Sequence, residues 1–215
     1  MTATVRKTFY HTARWLVRAL WRRVGTLEVT GLEHVPVNGP CIIIANHQSY
    51  LDPLLAQAVV PRVVHSMAKS TQFASPAMAR LMSLIYTFPV RRYEPDPIAV
   101  RTVLRLLGAG KAVMIYIEGE RSWDGRLQPP RRGTIRLLLK AGVPIIPCRI
   151  DGAYDAWPRW GRLRRGAHVS IAFKPALNLP ALDRRADREA ALESATDRIM
   201  ATLSAPGDRW AGIAV

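Results

Sequence analysis

Apolar residues follow two different patterns along the chain. Short runs such as 41–44 and 112–117 are continuously apolar and rich in β-branched residues, which is typical of buried strands. Between such runs, apolar residues recur every three or four positions, as in amphipathic helices, and two of these segments start at Asp-Pro. Buried strands that alternate with helices predict an α/β fold, with a mixed, largely parallel β-sheet covered by helices on both faces.

The predicted elements follow one another without a long linker or an internal repeat. The predicted strands are 26–30, 41–44, one beginning at Val63, 84–90, 112–117, 143–148 and 169–173. The predicted helices are 5–24, one with Asp52 as N-cap and Pro53 as its first residue, one from Pro76, one from Asp96 to Gly108, one after Gly133, and 181–204. Residues 151–166 are predicted to form a loop in which aromatic and basic residues interleave. We therefore expect an N-terminal helix over 1–25 and a single α/β domain over 26–215.

The first predicted helix separates apolar from basic residues more clearly than any other segment. One face carries Val5, Phe9, Ala13, Leu16, Val17, Leu20 and Val24, and the opposite face carries Lys7, His11, Arg14, Arg18 and Arg22. Trp15 and Trp21 fall at the flanks, where an indole suits the headgroup level of a bilayer. Two interpretations stay open and do not exclude each other: the helix contacts a membrane, or it packs its apolar face on the core. We expect an amphipathic, membrane-associating helix.

Composition narrows the class of protein. A chain of 215 residues with 49% apolar residues can bury one sizeable core, and its formal net charge of +15 indicates an anionic partner. That partner is a nucleic acid, an anionic membrane surface or a phosphorylated substrate. Cys41 and Cys148 lie in apolar runs without metal-ligand spacing, so we expect buried thiols and no metal site. The apolar runs stop short of the roughly 18 residues that span a bilayer, and no signal-type apolar stretch is recognised at the N-terminus.

The stretch after the second predicted strand carries candidate catalytic chemistry. His47 lies at a strand-to-helix turn, and Asp52 follows five residues later. Histidine is the side chain whose pKa lies nearest neutral pH, so it can remove a proton from a hydroxyl, while a nearby carboxylate fixes its tautomer. A purely structural pair, with the histidine in a turn and the aspartate capping a helix, is the alternative.

Charged residues also follow two further predicted strands. Arg91 and Arg92 come at the end of one, and Glu118 and Arg121 follow the other. In α/β sheets, ligands bind outside the carboxyl ends of the strands. We therefore expect these side chains to gather near His47.

Four short blocks, taken in order, carry a family resemblance. Asn46-His47 with Asp52 looks like a histidine, four-residue gap, aspartate motif, and residues 88–92 (Phe-Pro-Val-Arg-Arg) look like a second block whose closing arginine is matched best by Arg92. Residues 117–122 (Ile-Glu-Gly-Glu-Arg-Ser) and 143–147 resemble the third and fourth blocks. These blocks resemble those of the glycerolipid acyltransferases, the family of 1-acylglycerol-3-phosphate acyltransferases, over residues 40–155.

The resemblance implies an acyltransferase with His47 as general base and Asp52 orienting it. It also implies a set of acceptor-binding residues, namely Arg92 and Arg121 for the phosphate, Arg91 as the alternative to Arg92, and Glu118, Gly119 and Ser122 around the acceptor. The donor would be acyl-CoA or acyl carrier protein, the acceptor a lysophospholipid, most simply 1-acyl-sn-glycerol 3-phosphate, and no cofactor or metal would be required. The site of action would be an anionic membrane surface at the cytoplasmic face of the cell membrane, with the protein peripheral or monotopic.

The third block departs from the family pattern at two positions. Glu120 stands where the family usually has threonine, and Ile117 where it usually has proline. A carboxylate beside a phosphate site would repel a dianion, unless it pairs with Arg121 or Arg126. An acceptor without the terminal phosphate therefore stays open beside lysophosphatidate.

Two other classes of protein compete with the acyltransferase. A serine hydrolase would use Ser49 or Ser122 with the histidine, but the chain has no Gly-x-Ser-x-Gly sequence. A non-catalytic lipid-binding or nucleic-acid-binding protein would explain the charge, yet it would not need the histidine and aspartate at a strand end.

Overall fold

The computed structural model of the protein describes residues 2–179 and 188–205. The strands are β1 Gly25–Thr30, β2 Cys41–Ala45, β3 Val64–Lys69, β4 Thr87–Val90, β5 Ala112–Tyr116, β6 Ile145–Asp151 and β7 Ala167–Phe173. The α-helices are α1 Ala3–Val24, α2 Leu51–Val59, α3 Pro76–Leu84, α4 Pro97–Gly108, α5 Arg132–Ala141, α6 Ala153–Ala156 and α7 Arg188–Leu203. Short 3₁₀ helices cover Leu32–His34 and Ser70–Phe73.

The strands form one seven-stranded sheet in the order β1-β7-β6-β2-β5-β3-β4. Neighbouring strands are parallel except for β6 and β7, which are antiparallel. The prediction of a mixed, largely parallel sheet is therefore confirmed. The strand β2 lies inside the sheet between β5 and β6, so the residues that follow it leave the sheet with a neighbouring strand on each side.

Alternate residues of β2 enter two hydrophobic layers on opposite faces of the sheet. Ile43 belongs to the layer that includes Trp21 of α1 and Leu55 of α2. Ile42 belongs to the other layer, whose residues include members of α4, α5 and α7. Each such isoleucine stabilises the fold by about 1.5–3 kcal/mol through burial, which is why β2 is apolar at every position.

Two predicted element boundaries are wrong near the candidate site. Asp52 is not an N-cap, since α2 begins at Leu51 and Tyr50 is its N-cap residue. The Asp52 carboxylate instead accepts hydrogen bonds from amides of the preceding turn. Residues 151–166 are not wholly a loop, since Gly152 adopts a left-handed conformation and leads into the short helix α6.

The stretch 84–90 was predicted as one strand, which is wrong in its first half. Ser75 caps α3 by accepting a hydrogen bond from the Met78 amide, and the helix then continues through Leu84. Tyr86 takes a left-handed conformation with φ of 57°, which turns the chain into β4 at Thr87.

Of the last predicted helix, residues 181–187 lie outside the described part, and α7 confirms the remainder.

The helix α1 faces the body of the protein with residues that the helical pattern did not select. Tyr10, Arg14 and Trp21 are buried, although Arg14 belongs to the predicted basic face. Its guanidinium donates to the carbonyl of Ala58 at 3.2 Å and also to that of Val60, at the C-terminal end of α2. Trp21 had been predicted at the membrane flank, but its indole N–H donates to the Thr26 carbonyl at 3.1 Å.

Much of the predicted apolar face of α1 is exposed. Val5 is 53% exposed, Leu16 47% and Leu20 49%, and the flanking Trp15 is 62% exposed. The interpretation in which this face packs on the core is therefore wrong for these side chains, although Val17 packs partly against the core. Among the described helices, none combines the length and apolar character needed to cross a bilayer.

Candidate active site

The candidate site begins where β2 ends. Asn46 follows Ala45 and is fully buried, and its side chain bonds both backbone groups of Ile150 on β6: Nδ2 donates to the carbonyl at 2.7 Å, and Oδ1 accepts from the amide at 2.8 Å. This pair of hydrogen bonds to the neighbouring strand fixes the direction in which the chain leaves the sheet. His47 comes next and is 8% exposed, so it lies just below the surface.

The His47 ring is held by Asp52. Nδ1 of His47 lies 2.7 Å from Oδ2 of Asp52, and the same oxygen accepts the amides of Gln48 at 2.6 Å and Ser49 at 2.7 Å. Asp52 is fully buried, and hydrogen bonds from several N–H groups offset the cost of burying an ionised carboxylate. A carboxylate at Nδ1 favours the proton on that nitrogen, which leaves Nε2 as the basic atom of the ring.

The loop after β5 clamps the backbone of His47 from the other side. Oε1 of Glu118 accepts the His47 amide at 2.8 Å, and the Ser122 amide donates to the His47 carbonyl at 2.7 Å. These contacts form because the loop runs alongside the turn that carries His47, just as β5 runs alongside β2. Both backbone groups of His47 are thus fixed by this loop.

Glu118 holds His47 from a buried position. Glu118 is 3% exposed. Burial raises the pKa of its carboxyl well above the usual value, and the nearby Asp52 adds to this shift. The hydrogen bond from the His47 amide opposes this shift, since it favours the ionised form. Glu118 therefore acts on the backbone of the histidine and leaves the imidazole ring to Asp52.

Tyr116 contributes to the site although the sequence analysis did not select it. Its ring stacks on the imidazole of His47, with centroids 4.3 Å apart and planes inclined by 29°. Burial raises the pKa of its phenol well above the usual value, so it stays neutral beside the histidine. Tyr116 is the last residue of β5 and directly precedes the third block. This position in the sequence is what could have indicated it.

Gly119 and Arg121 occupy the same loop as Glu118. Gly119 has φ of 73°, and a Cβ there would lie 2.8 Å from Cγ of Arg131, so a side chain would be strained and crowded. The guanidinium carbon of Arg121 lies 3.5 Å from the centre of the Tyr50 ring, which directs this cation toward the start of α2. Arg121 therefore lies against Tyr50, the residue just before α2.

Glu120 pairs with arginines other than Arg121 and Arg126, the two partners considered from the sequence. Its Oε1 accepts from Arg131 at 3.0 Å, and its Oε2 accepts from the Tyr93 hydroxyl at 3.0 Å and from Arg159 at 3.1 Å. Partial burial raises the pKa of this carboxyl, but the hydrogen bonds and nearby arginines outweigh burial and hold it below its usual value. Arg159 lies in the segment after α6, outside the four sequence blocks, and was therefore not among the predicted site residues.

Arg91 and Arg92 have different surroundings. Nε of Arg91 lies 3.7 Å from Glu94 and 3.8 Å from Asp96, so this exposed side chain pairs with acids of its own loop. Arg92 is half-buried, and burial lowers the pKa of its guanidinium, with Glu120 opposing the shift and Arg121 adding to it. Arg92, rather than Arg91, therefore interacts with the charged residues Glu120 and Arg121 of the third block.

The two serines considered as nucleophiles are occupied by structural hydrogen bonds. The Ser49 hydroxyl donates to the Trp157 carbonyl at 2.7 Å, and the Ser122 hydroxyl donates to the Arg126 carbonyl at 2.7 Å. Both serines are fully buried. The arrangement therefore does not favour a serine hydrolase that uses either hydroxyl as its nucleophile. Among the described residues, no group of histidine, cysteine and acidic side chains is arranged to hold a metal ion.

Comparison with known proteins gives one family. The family model described as "Acyltransferase" matches residues 26–151. The human 1-acyl-sn-glycerol-3-phosphate acyltransferase alpha is 32% identical over 152 residues, which are 69% of this chain and 54% of that protein. A chloroplastic 1-acyl-sn-glycerol-3-phosphate acyltransferase of Brassica napus is 28% identical over 180 residues, which are 79% of this chain and 51% of that protein. The chain thus spans about half the length of these curated relatives.

A solved structure shares the fold. The crystal structure of the 1-acyl-sn-glycerophosphate acyltransferase PlsC from Thermotoga maritima superposes with a TM-score of 0.73 and covers 91% of this chain and 79% of its own. The two sequences are 20% identical in that comparison, so the likeness concerns the fold.

Proposed function

Because the chain belongs to the acyltransferase family, we propose that it moves a fatty acyl group from an acyl thioester to the free hydroxyl of a lysophospholipid. The observation that carries this proposal is the buried His47–Asp52 pair at the carboxyl end of β2, with Nδ1 of the ring occupied and Nε2 left as the base. The acceptor that fits the neighbouring charges is 1-acyl-sn-glycerol 3-phosphate, and the product is phosphatidic acid.

His47 acts on the acceptor hydroxyl. Nε2 removes the hydroxyl proton while the oxygen forms a bond to the thioester carbonyl carbon, and Asp52 stabilises the imidazolium that results. The tetrahedral intermediate then collapses, the carbon–sulfur bond breaks, and the leaving thiolate takes the proton from the imidazolium. The acyl group passes directly to the acceptor, so the proposal requires no covalent enzyme intermediate and no cofactor beyond the donor.

Arg92 and Arg121 are the groups proposed to bind the acceptor phosphate. A guanidinium presents a fork of N–H donors that matches two phosphate oxygens. Among the described ion pairs, neither side chain is joined to a carboxylate, so both charges are available to a ligand. This favours a terminal phosphate over acceptors that lack one. Acyl-CoA and acyl carrier protein both present a thioester that fits the reaction, and both are retained as donors.

We also propose that α1 docks the protein on an anionic membrane, at the cytoplasmic face. The exposed Val5, Leu16 and Leu20 supply an apolar surface, and the basic residues of the same helix suit anionic headgroups. The lysophospholipid would then reach the site without leaving the bilayer surface.

An acceptor panel tests the reaction. The purified protein is incubated with labelled acyl-CoA, or acyl carrier protein, and with glycerol 3-phosphate, lysophosphatidate, a zwitterionic lysophospholipid or a phosphate-free lyso-aminolipid. We expect transfer to lysophosphatidate in preference to the other acceptors, and none in a His47→Ala variant. Transfer confined to the phosphate-free acceptor would refute the substrate, and thioester hydrolysis without any acylated lipid would refute the acyl transfer.

A further inference from the structure

We propose that Arg159 is a third cation of the acceptor-phosphate site and that Glu120 positions it there. This inference rests on the proposed function, since it concerns the same acceptor. Arg159 lies beyond residues 26–151, the part of the chain that matches the family model. The argument for Arg159 therefore rests on its contacts in this structure.

Arg159 is held on several sides. Its guanidinium carbon lies 3.8 Å from the ring centre of Trp123 and 5.1 Å from that of Trp160. Its Nη1 donates to Oε2 of Glu120 at 3.1 Å and also to the Arg121 carbonyl. The side chain is 14% exposed, so these contacts enclose most of it and a small part stays accessible to a ligand. A surface arginine without such contacts would lose side-chain freedom on binding a ligand, whereas Arg159 is already held by these contacts.

Glu120 supplies the anionic contact that fixes Arg159. Its carboxylate is 17% exposed and remains ionised, because hydrogen bonds and arginines lower its pKa. The contact to Arg131 holds its other oxygen, so Glu120 joins a residue just before α5 to a residue of the segment after α6. The carboxylate that would repel a phosphate is thus already engaged with two arginines.

The charges around Glu120 leave a cationic surplus. Glu120 bonds Arg159, and Arg159 also bonds the Arg121 carbonyl, while Tyr93, next to Arg92 in the chain, donates to Glu120 at 3.0 Å. These contacts place the four groups in one neighbourhood, in line with the electrostatic interactions of Arg92 with the other three. With Arg131, which also bonds Glu120, four guanidinium groups stand against one carboxylate, and this cationic surplus suits a phosphate monoester dianion. A single arginine pair would bind the phosphate less tightly, and the third cation adds discrimination against acceptors without a phosphate.

This arrangement predicts an effect opposite in sign to simple repulsion. If Glu120 merely repelled the acceptor, Glu120→Gln would lower KM for a phosphate-bearing acceptor. If Glu120 positions Arg159, the same change releases the guanidinium and raises KM, although it removes a negative charge beside an anion site.

The experiment compares acyl transfer to short-chain 1-hexanoyl glycerol 3-phosphate and to 1-hexanoyl glycerol, which lacks the phosphate. The variants are Arg159→Gln, Glu120→Gln and the double variant, with Arg101→Gln on the exposed side of α4 as the matched control. We expect Arg159→Gln to raise KM for the phosphate-bearing acceptor about tenfold with kcat nearly unchanged. Glu120→Gln should raise KM for the phosphate-bearing acceptor by a smaller factor in the wild-type background. In the Arg159→Gln background it should not change this KM further.

Several outcomes would overturn the inference. These are an unchanged KM in Arg159→Gln, a lowered KM in Glu120→Gln, or an equal effect on the acceptor that lacks the phosphate, which would mean a structural role only. A melting temperature within a few degrees of wild type confirms that each variant folds.

A separate binding measurement keeps this inference distinct from the proposed function. Calorimetric titration with glycerol 3-phosphate, without any donor, reports the phosphate site alone. Weaker binding by Arg159→Gln than by wild type would support the site even if no acyl transfer were found. Equal binding, or no binding by the wild-type protein, would refute the site even if transfer to lysophosphatidate occurred.

Discussion

Oδ2 of Asp52 lies 2.7 Å from Nδ1 of His47 and simultaneously accepts two backbone amides of the turn between them. One oxygen atom thus orients the imidazole and closes the turn that carries it. The orientation of the proposed base and the local fold are consequently coupled at this position, and substitutions of the two residues should differ in their effect on stability.

We expect His47→Ala to abolish acyl transfer, because it removes the proposed general base. Asp52→Asn should lower kcat by about 10²- to 10⁴-fold, because the histidine then loses the carboxylate that orients its ring. Asp52→Asn should also lower the free energy of unfolding by about 1–3 kcal/mol, since an amide serves the buried N–H donors less well than a carboxylate. Steady-state kinetics and urea unfolding measure the two effects. Near-native turnover in His47→Ala would rule out the general-base role.

Glu118 gives a prediction about pH. Burial raises the pKa of its carboxyl in the folded protein, so folding favours the protonated form. Its contribution to stability is fully present below the unfolded pKa and is lost as pH rises through the folded pKa. Glu118→Gln removes that titration while its Oε1 still accepts the His47 amide. We expect the variant to lose less stability than wild type as the pH rises, with kcat within a few-fold.

Thermal unfolding between about pH 5 and pH 9 measures this difference, because the window opens just above the ordinary pKa of a glutamate, about 4.3, and extends toward the raised pKa of the folded state. Glu193→Gln, on the exposed side of α7, is the matched control and should leave the pH dependence unchanged. Parallel curves for Glu118→Gln and wild type would contradict the prediction.

The sequence predicted the sheet and the proximity of His47 and Asp52 for physical reasons that the structure makes visible. The strand β2 is apolar at every position because it is buried on both faces, and that pattern is readable without a structure. The proximity of His47 and Asp52 followed from their short separation at a turn. Arg159 was not predictable in this way, because its partner Glu120 is 39 positions earlier and the pairing depends on the tertiary fold.

The orientation of α1 shows the same limit. A helical wheel ranks faces by hydropathy, but the face that contacts the protein is selected by specific bonds. Arg14 is buried because it reaches carbonyl groups at the end of α2, and Trp21 because its indole N–H finds the Thr26 carbonyl. Neither partner can be inferred from spacing within the helix.

Arg14 should therefore contribute to stability. Burial lowers the pKa of its guanidinium, and its bonds to Ala58 and Val60 satisfy carbonyls that end α2. We expect Arg14→Met to reduce the free energy of unfolding by about 1.5–3 kcal/mol, the range for hydrogen bonds to charged groups. Chemical denaturation measures the loss, and Arg18→Met on the exposed side of the same helix is the control. Equal stability of the two variants would show that the Arg14 contacts contribute little.

Membrane association is best tested with the exposed side chains of α1 rather than by deleting the helix, because α1 buries Tyr10 and Trp21 against the rest of the protein. Leu16→Ser with Leu20→Ser removes apolar surface that is about half exposed and so leaves the core intact. If these leucines enter the bilayer, binding to anionic phosphatidylglycerol vesicles should fall at least tenfold, since burying one leucine contributes about 1.5–3 kcal/mol. Val37→Ser, at an exposed position outside the helices, is the control. Vesicle co-sedimentation of the double variant at the wild-type level would refute the docking role of α1.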